Sequence, residues 1–277
     1  MRQILVIANE TVTGSKLIDA LKERARSGEI RVTVVSPVSR PREGYVVYED
    51  TRRAAAHRRL ERSLERLRAA GIPADGRVVD SEPLDAARDA LAELEPDEII
   101  VSTHPEAKSG WLRRNLVESI RKAAGPVPVE HVVVDVAGEG GEANVLVIAN
   151  ETVLGEPLLE RIRARAKRSA ASFLIISPQS DPAQSAHPAA DRRLRRALAI
   201  LRSEGIDAHG QIAHPDPYAA AMHAVRDERI DEIIVSTFPG VNMSTWLRGD
   251  LVERLRKNTG LPVDHVEVEP ATAELPA

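Results

Sequence analysis

The sequence predicts an α/β protein made of two tandem doubly wound open parallel-sheet domains. Three observations lead there. The stretch ILVIANETVTG at residues 4–14 is written again as VLVIANETVLG at 145–155, short Val- and Ile-rich runs alternate with longer helical patterns, and the two halves align over nearly the whole chain. Asn9, Glu10 and Thr11 match Asn150, Glu151 and Thr152 at an offset of 141, as Ser36-Pro37 matches Ser177-Pro178. DEIIVSTHP from Asp97 matches DEIIVSTFP from Asp231 at an offset of 134, so the first copy holds 141 − 134 = 7 extra residues. HRRL ending at Leu60 and DRRL ending at Leu194 are already at 134, which places the insertion in PREGYVVYEDTRRAAAH. SGWLRRNLVE and STWLRGDLVE follow at an offset of 135. A repeat of this length is a domain, since solenoid units run roughly 20–50 residues.

The elements follow in order. ILVIA is apolar without alternation, as expected of a parallel strand covered on both faces; RVTVVS and GRVVD are the next strands, EIIVST resembles the first, and HVVVDV closes the copy. Between them lie Arg-, Glu- and Ala-rich segments such as LERSLERLRAAG, whose leucines recur every three or four residues and whose Gly71 marks the helix stop. The order βαβαβαβαβ with right-handed crossovers makes each half an open doubly wound sheet. The expected domains are 1–136 and 144–270, joined by the Gly-rich linker 137–143 and followed by a loose tail at 271–277.

Composition narrows the function classes. The 277 residues are 43% hydrophobic, enough for two cores, and the net charge of -4 from Lys+Arg 38 and Asp+Glu 42 provides no field for nucleic acid or an anionic membrane. The 0 cysteines exclude disulfides and thiol chemistry and suit a reducing compartment. The first apolar run is too short for a membrane span and has no cleavage site, so the expected location is cytoplasmic.

Open parallel sheets bind ligands beyond the carboxyl ends of their strands, where the strand order reverses. The polar residues shared by the copies fall there: Asn9, Glu10, Thr11, Ser36 and Thr103 in the first, Asn150, Glu151, Thr152, Ser177 and Thr237 in the second. Turns and helix caps call for the same residue types, which is the structural alternative. After strand 4, Ser109 and Ser244 are N-cap candidates, and Lys108, Arg113 and Arg248 are placed to complete a phosphate site at those helix starts. The alternative for Arg113 is a pair with Glu10. Trp111 and Trp246 lie off the stripes Leu112, Leu116, Ile120 and Leu247, Leu251, Leu255, which favours packing over ligand stacking. Tyr45 and Tyr48 sit in the insertion, read as a lid over the Asn9 crevice or a partner contact.

Catalytic templates are absent: no G-x-x-x-x-G-K-[ST], no G-x-G-x-x-G after strand 1, no G-x-S-x-G and no H-E-x-x-H. His209 and His214 fall on opposite faces of one strand-like run, so no metal is expected; His104 becomes Phe238 in the second copy, so no shared base stands there. The expectation is a protein without catalytic residues.

With five βα-like units, the DEIIVSTHP strand and a closing PVPVEHVVV at 126–134, each copy resembles a universal stress protein domain, within the adenine-nucleotide-binding α/β folds. The resemblance implies a tandem, non-catalytic small-ligand binder in stress response, with ATP or AMP as the candidate ligand. It also implies pairing of the two domains through their last strands about a pseudo-two-fold axis, with a further homodimer open. The family's nucleotide binders carry G-x2-G-x9-G-[ST] after strand 4, where the first copy has Pro105, Lys108, Glu118 and Ser119. They carry an aspartate where this chain has Asn9 and Asn150. The alternative is a nucleotide-independent interaction or scaffold protein with a filled crevice.

Overall fold

In the computed structural model, residues 1–8, 11, 14–38, 46–47, 49–105, 115–135, 142–178, 188–227, 229–239 and 250–269 are described. Contacts divide the chain into two units, Met1–Arg40 with Arg52–Gly141, and Pro41–Thr51 with Glu142–Ala277. The first copy runs β1 (Arg2–Ile7), α1 (Ser15–Ser27), β2 (Ile30–Pro37), β3 (Val46–Val47), α2 (Glu49–Ala69), β4 (Ala74–Val79), α3 (Pro83–Leu94), β5 (Glu98–Thr103), α4 (Leu116–Ala124) and β6 (Val129–Val133). The second runs β7 (Ala143–Ile148), α5 (Glu156–Arg168), β8 (Ala171–Pro178), α6 (Pro188–Ser203), β9 (Asp207–Ala213), α7 (Pro217–Asp227), β10 (Glu232–Thr237), α8 (Leu251–Thr259) and β11 (Val263–Glu267).

The first sheet has the order β4-β2-β1-β5-β6 and the second β11-β10-β7-β8-β9-β3, with every pair parallel except β3 against β9. Both five-strand parallel sheets reverse their order beside the first strand of the copy, as the alternation of elements predicts. Side-chain period two explains the layers. Ile4, Val6 and Ala8 enter the core under α1 and α2, while Leu5 and Ile7 enter the core under α3 and α4. Val145, Val147 and Ala149 face α5 and α6, and Leu146 and Ile148 face α7 and α8.

Two strand starts and the insertion differ from the sequence reading: β4 begins at Ala74 and not at Gly76. The last strand of the first copy begins at Val129 and not at His131, because the Ile99 N–H donates to the Pro128 carbonyl at 2.9 Å and starts the ladder there. The insertion does not lie wholly with the first copy. Of its described residues, those from Glu49 on begin α2, while Val46–Val47 pairs antiparallel with Ile212 and Gln211 on the edge of the second sheet, where an edge strand offers unpaired backbone groups. Tyr45 and Tyr48 lie outside the described residues.

The repeated Asp-Glu of DEIIVST closes the amino-terminal end of each sheet. Asp97 Oδ2 accepts the Gln3 N–H at 2.7 Å, and Asp231 Oδ2 accepts that of Asn144 at 2.9 Å. Glu98, 4% exposed, accepts from Arg24 Nε on α1 at 3.0 Å to each carboxylate oxygen; Arg24 also pairs with Glu130. In the second unit Arg165 on α5 holds Glu232 through Nε and Nη2, both at 2.7 Å. Each pair ties the first helix of its unit to the fourth strand by a fork that matches a carboxylate.

The repeated glycine of NETVxG has a packing reason. Gly14 has φ -71 and Gly155 φ -67, which any residue adopts. A Cβ on Gly14 would lie 1.9 Å from Val134 Cγ1, and one on Gly155 2.2 Å from Val268 Cγ1. Those valines are held by their N–H groups on the carbonyls of Thr103 (2.8 Å) and Thr237 (2.9 Å). The loop after the first strand therefore passes flush against the chain leaving the last strand.

Gly14→Ala and Gly155→Ala should each destabilise their unit by about 1–3 kcal/mol. Adding Val134→Ala to Gly14→Ala should cost less than the sum of the two single changes, which a double-mutant cycle by denaturant unfolding measures. Glu98→Ala, which leaves Arg24 with Glu130 as its remaining carboxylate partner, should cost about 1–3 kcal/mol, whereas Arg24→Met with Glu98→Leu should cost less than Glu98→Ala alone.

Candidate functional site

The carboxyl ends of the central strands carry the polar residues common to both copies, and most of them are tied inward. Thr11 Oγ1 donates to the Ser102 carbonyl at 3.0 Å, and Thr152 Oγ1 donates to that of Ser236 at 3.2 Å. Ser177 Oγ donates to the Ala149 carbonyl at 2.7 Å, and Ser36 is as deeply buried. The hydroxyls of Thr11, Thr152 and Ser177 tie the loop after the first strand and the strand ends together, and so shape the mouth. Glu151 is exposed beside them. Asn9, Glu10, Lys108, Ser109, Arg113, Ser244 and Arg248 lie outside the described residues, as do Trp111 and Trp246.

Asn150 bridges three elements. Its Nδ2 donates to the carbonyl of Pro178, the last residue of β8, at 2.8 Å, and its Oδ1 accepts from Arg193 Nη2 on α6 at 2.9 Å. The side chain is 7% exposed. Sequence reasoning singled out Asn150 and missed its partner. Arg193 is half-buried and turned to the strand ends, while Arg192, Arg195 and Arg196 on the same helix are exposed. Arg59 holds the equivalent place on α2 and is also half-buried. In both arginines Nε is buried and has no hydrogen-bond partner among the described residues. The signal was present in the repeated R-R-L of HRRL and DRRL.

A second repeated pair joins the last two strands. Thr103 Oγ1 lies 2.8 Å from His131 Nε2, and Thr237 Oγ1 lies 2.8 Å from His265 Nε2. Thr103 also donates its hydroxyl proton to the His104 carbonyl at 3.0 Å. This dyad is a strap between strands. Burial, and next the Arg121 charge, hold the His131 ring below the ordinary imidazole pKa.

The second unit adds features with no counterpart in the first copy's sequence. Arg254 stacks over Tyr218, 3.9 Å from the ring centroid, and His214 meets His223 edge-on at 6.0 Å while its Nδ1 accepts the Asp216 N–H at 3.0 Å. His209 is buried in β9. Among the described residues no cluster of His, Asp or Glu is placed to hold a metal. A cavity of about 540 Å³ opens at the other end of the second sheet, between α5 and the starts of β10 and β11, beside the Arg165–Glu232 pair.

With this geometry the chain can be set beside known proteins. No family model and no curated protein matches it. Among solved structures, a universal stress protein from Archaeoglobus fulgidus DSM 4304 aligns over 96% of this chain and 96% of its own at 18% identity and a TM-score of 0.38. The chain is similar to universal stress proteins. A universal stress protein in complex with cAMP aligns over 48% of this chain and 97% of its own, at 15% identity and a TM-score of 0.30. A universal stress protein family protein from Arabidopsis thaliana with AMP bound aligns over 49% and 93%, at 15% identity and a TM-score of 0.33. Likeness at this level says nothing of the mouth, whose chemistry is read from its own side chains.

A His131 pKa held below its unfolded value means that the unfolded chain takes up the proton first as pH falls. The stability that neutral His131 contributes is fully present above about pH 6.5 and is lost as pH falls from there through the folded pKa. Melting temperatures measured from pH 7.5 to 5 should fall, and His131→Gln should flatten that fall; ring NMR signals should show His131 titrating below the value of a free imidazole.

Proposed function

We propose that the chain is a non-catalytic small-ligand binder of the universal stress type, taking an adenine nucleotide at the strand-end mouths, and that it acts in the cytoplasm in a stress response. One observation carries the reading. Two units that differ along most of their helices keep the same polar frame at the mouth, from the threonine tethers to the half-buried arginine, at the place where an open parallel sheet forms its crevice. The resemblance of the sequence to the nucleotide-binding α/β domains supplies the ligand class. Among the described residues no helix is long and apolar enough to cross a membrane.

A second reading rests on Asn150. Both ends of its amide are bonded within the protein, which favours a mouth filled by side chains and a nucleotide-independent interaction or scaffold role.

Titration calorimetry with ATP, AMP and cyclic AMP separates the two. The first reading expects saturable binding of at least one of them and no phosphate release from ATP above a heat-killed control. No heat with any of the three, together with no nucleotide in the mass spectrum of the denatured purified protein, leaves the scaffold reading.

A further inference from the structure

The two arginines at the mouths have a specific job within the binding reading, on which this inference rests. A guanidinium presents five N–H donors, and one left buried without an acceptor costs about 1–3 kcal/mol, more for a charged group. Arg193 places one Nη2 bond on Asn150 and keeps its Nε N–H buried with no partner among the described residues. Arg59, on the corresponding helix of the first unit, keeps the same atom in the same condition. Neither arginine makes an ion pair with a carboxylate among the described residues, in contrast to Arg24, Arg163 and Arg165, which are matched to Glu98, Glu204 and Glu232. Among the described residues, the half-buried Arg24, Arg77 and Arg163 each meet a carboxylate, whereas Arg59 and Arg193, at equivalent places, meet none.

The position bears on what would complete them. Asn150 stands just after β7, the central strand, and Pro178 ends β8, so the Arg193 head group lies at the carboxyl ends of these two strands. Its neutral amide partner fixes the guanidinium without cancelling its charge. An aspartate at that position would neutralise it; the asparagine leaves a full positive charge at the mouth. An anion with several acceptor oxygens fits a forked donor of this kind better than a neutral ligand does.

We propose that Arg193, and Arg59 in the first unit, are the phosphate-reading residues of the two mouths, so that nucleoside monophosphates are preferred over nucleosides. Asn150 is then a positioning residue for Arg193.

The test compares AMP with adenosine by calorimetry on the full chain and on Arg59→Gln/Arg193→Gln, where glutamine retains an amide donor toward Asn150. The wild-type chain should bind AMP about ten- to hundredfold more tightly than adenosine, the range expected of charge-assisted hydrogen bonds. The double variant should bind both alike, and Arg59→Lys/Arg193→Lys should recover part of the preference. Circular dichroism and melting confirm that the variants fold. An unchanged AMP preference in the glutamine variant overturns the assignment while leaving nucleotide binding intact. If the wild-type chain binds neither compound, the nucleotide reading fails, and pyrophosphate decides the arginine assignment separately. A rise in wild-type melting temperature with pyrophosphate that the glutamine variant lacks supports it, and the same response in both, or none in either, overturns it.

Discussion

Burial of the central strand on both faces is the constraint from which the rest of each unit follows. Ile4 to Ala8 and Val145 to Ala149 are without solvent exposure, so no polar side chain is tolerated along these stretches. Polar groups are driven to the two ends of the sheet. At the amino-terminal end the adjoining strand contributes Asp97 and Glu98, or Asp231 and Glu232, which accept a strand N–H and an arginine from the first helix. At the carboxyl end the same strand contributes Ser102 and Thr103, or Ser236 and Thr237, whose backbone and side chains take the threonine and histidine bonds. One short motif, DEIIVST, therefore closes the sheet below and builds the mouth above.

The duplication acts as an internal control on which contacts matter. The helices drifted, yet the buried Arg–Glu fork, the glycine against valine, the threonine tether, the Thr–His strap and the half-buried arginine all recur at matching places. Each joins elements far apart in the chain. What does not recur is as informative: β9 is covered by β3, whereas the described residues place no strand beyond β4 in the first sheet, and the stacked Arg254–Tyr218 pair belongs to the second unit alone. The polar frame of the mouth was kept where surface features diverged.

Most of the fold was legible in the sequence, because apolar runs and helical stripes are local patterns that report burial directly. The five long strands of each copy and their parallel order followed from them, and the two-residue β3 did not. Strand boundaries slipped at β4 and at β6, and at β6 a proline carbonyl and not a side chain begins the ladder. The candidate site was legible as a location and less so as a set of contacts. Thr11, Thr152, Ser177 and Asn150 are at the mouth as expected, but their hydrogen bonds run to Ser102, Ser236, Ala149 and Pro178, partners 28 to 91 residues away that no spacing rule names. Arg59 and Arg193 went unnoticed among many surface arginines for the same reason.

By itself the sequence determined the apolar faces of the strands and helices, the five long strands of each copy and that the two copies share one architecture, since these depend on periodicity and on comparison of one half with the other. Only the tertiary structure decided what each polar group does. Strand order brings β1 between β2 and β5, and that placement makes Glu98 the partner of Arg24, Val134 the reason for Gly14 and Arg193 the partner of Asn150. A hydrogen bond or a close packing contact is satisfied by whichever group the fold brings within about 3–4 Å, and that proximity is set by the packing of whole elements and not by neighbours in the chain.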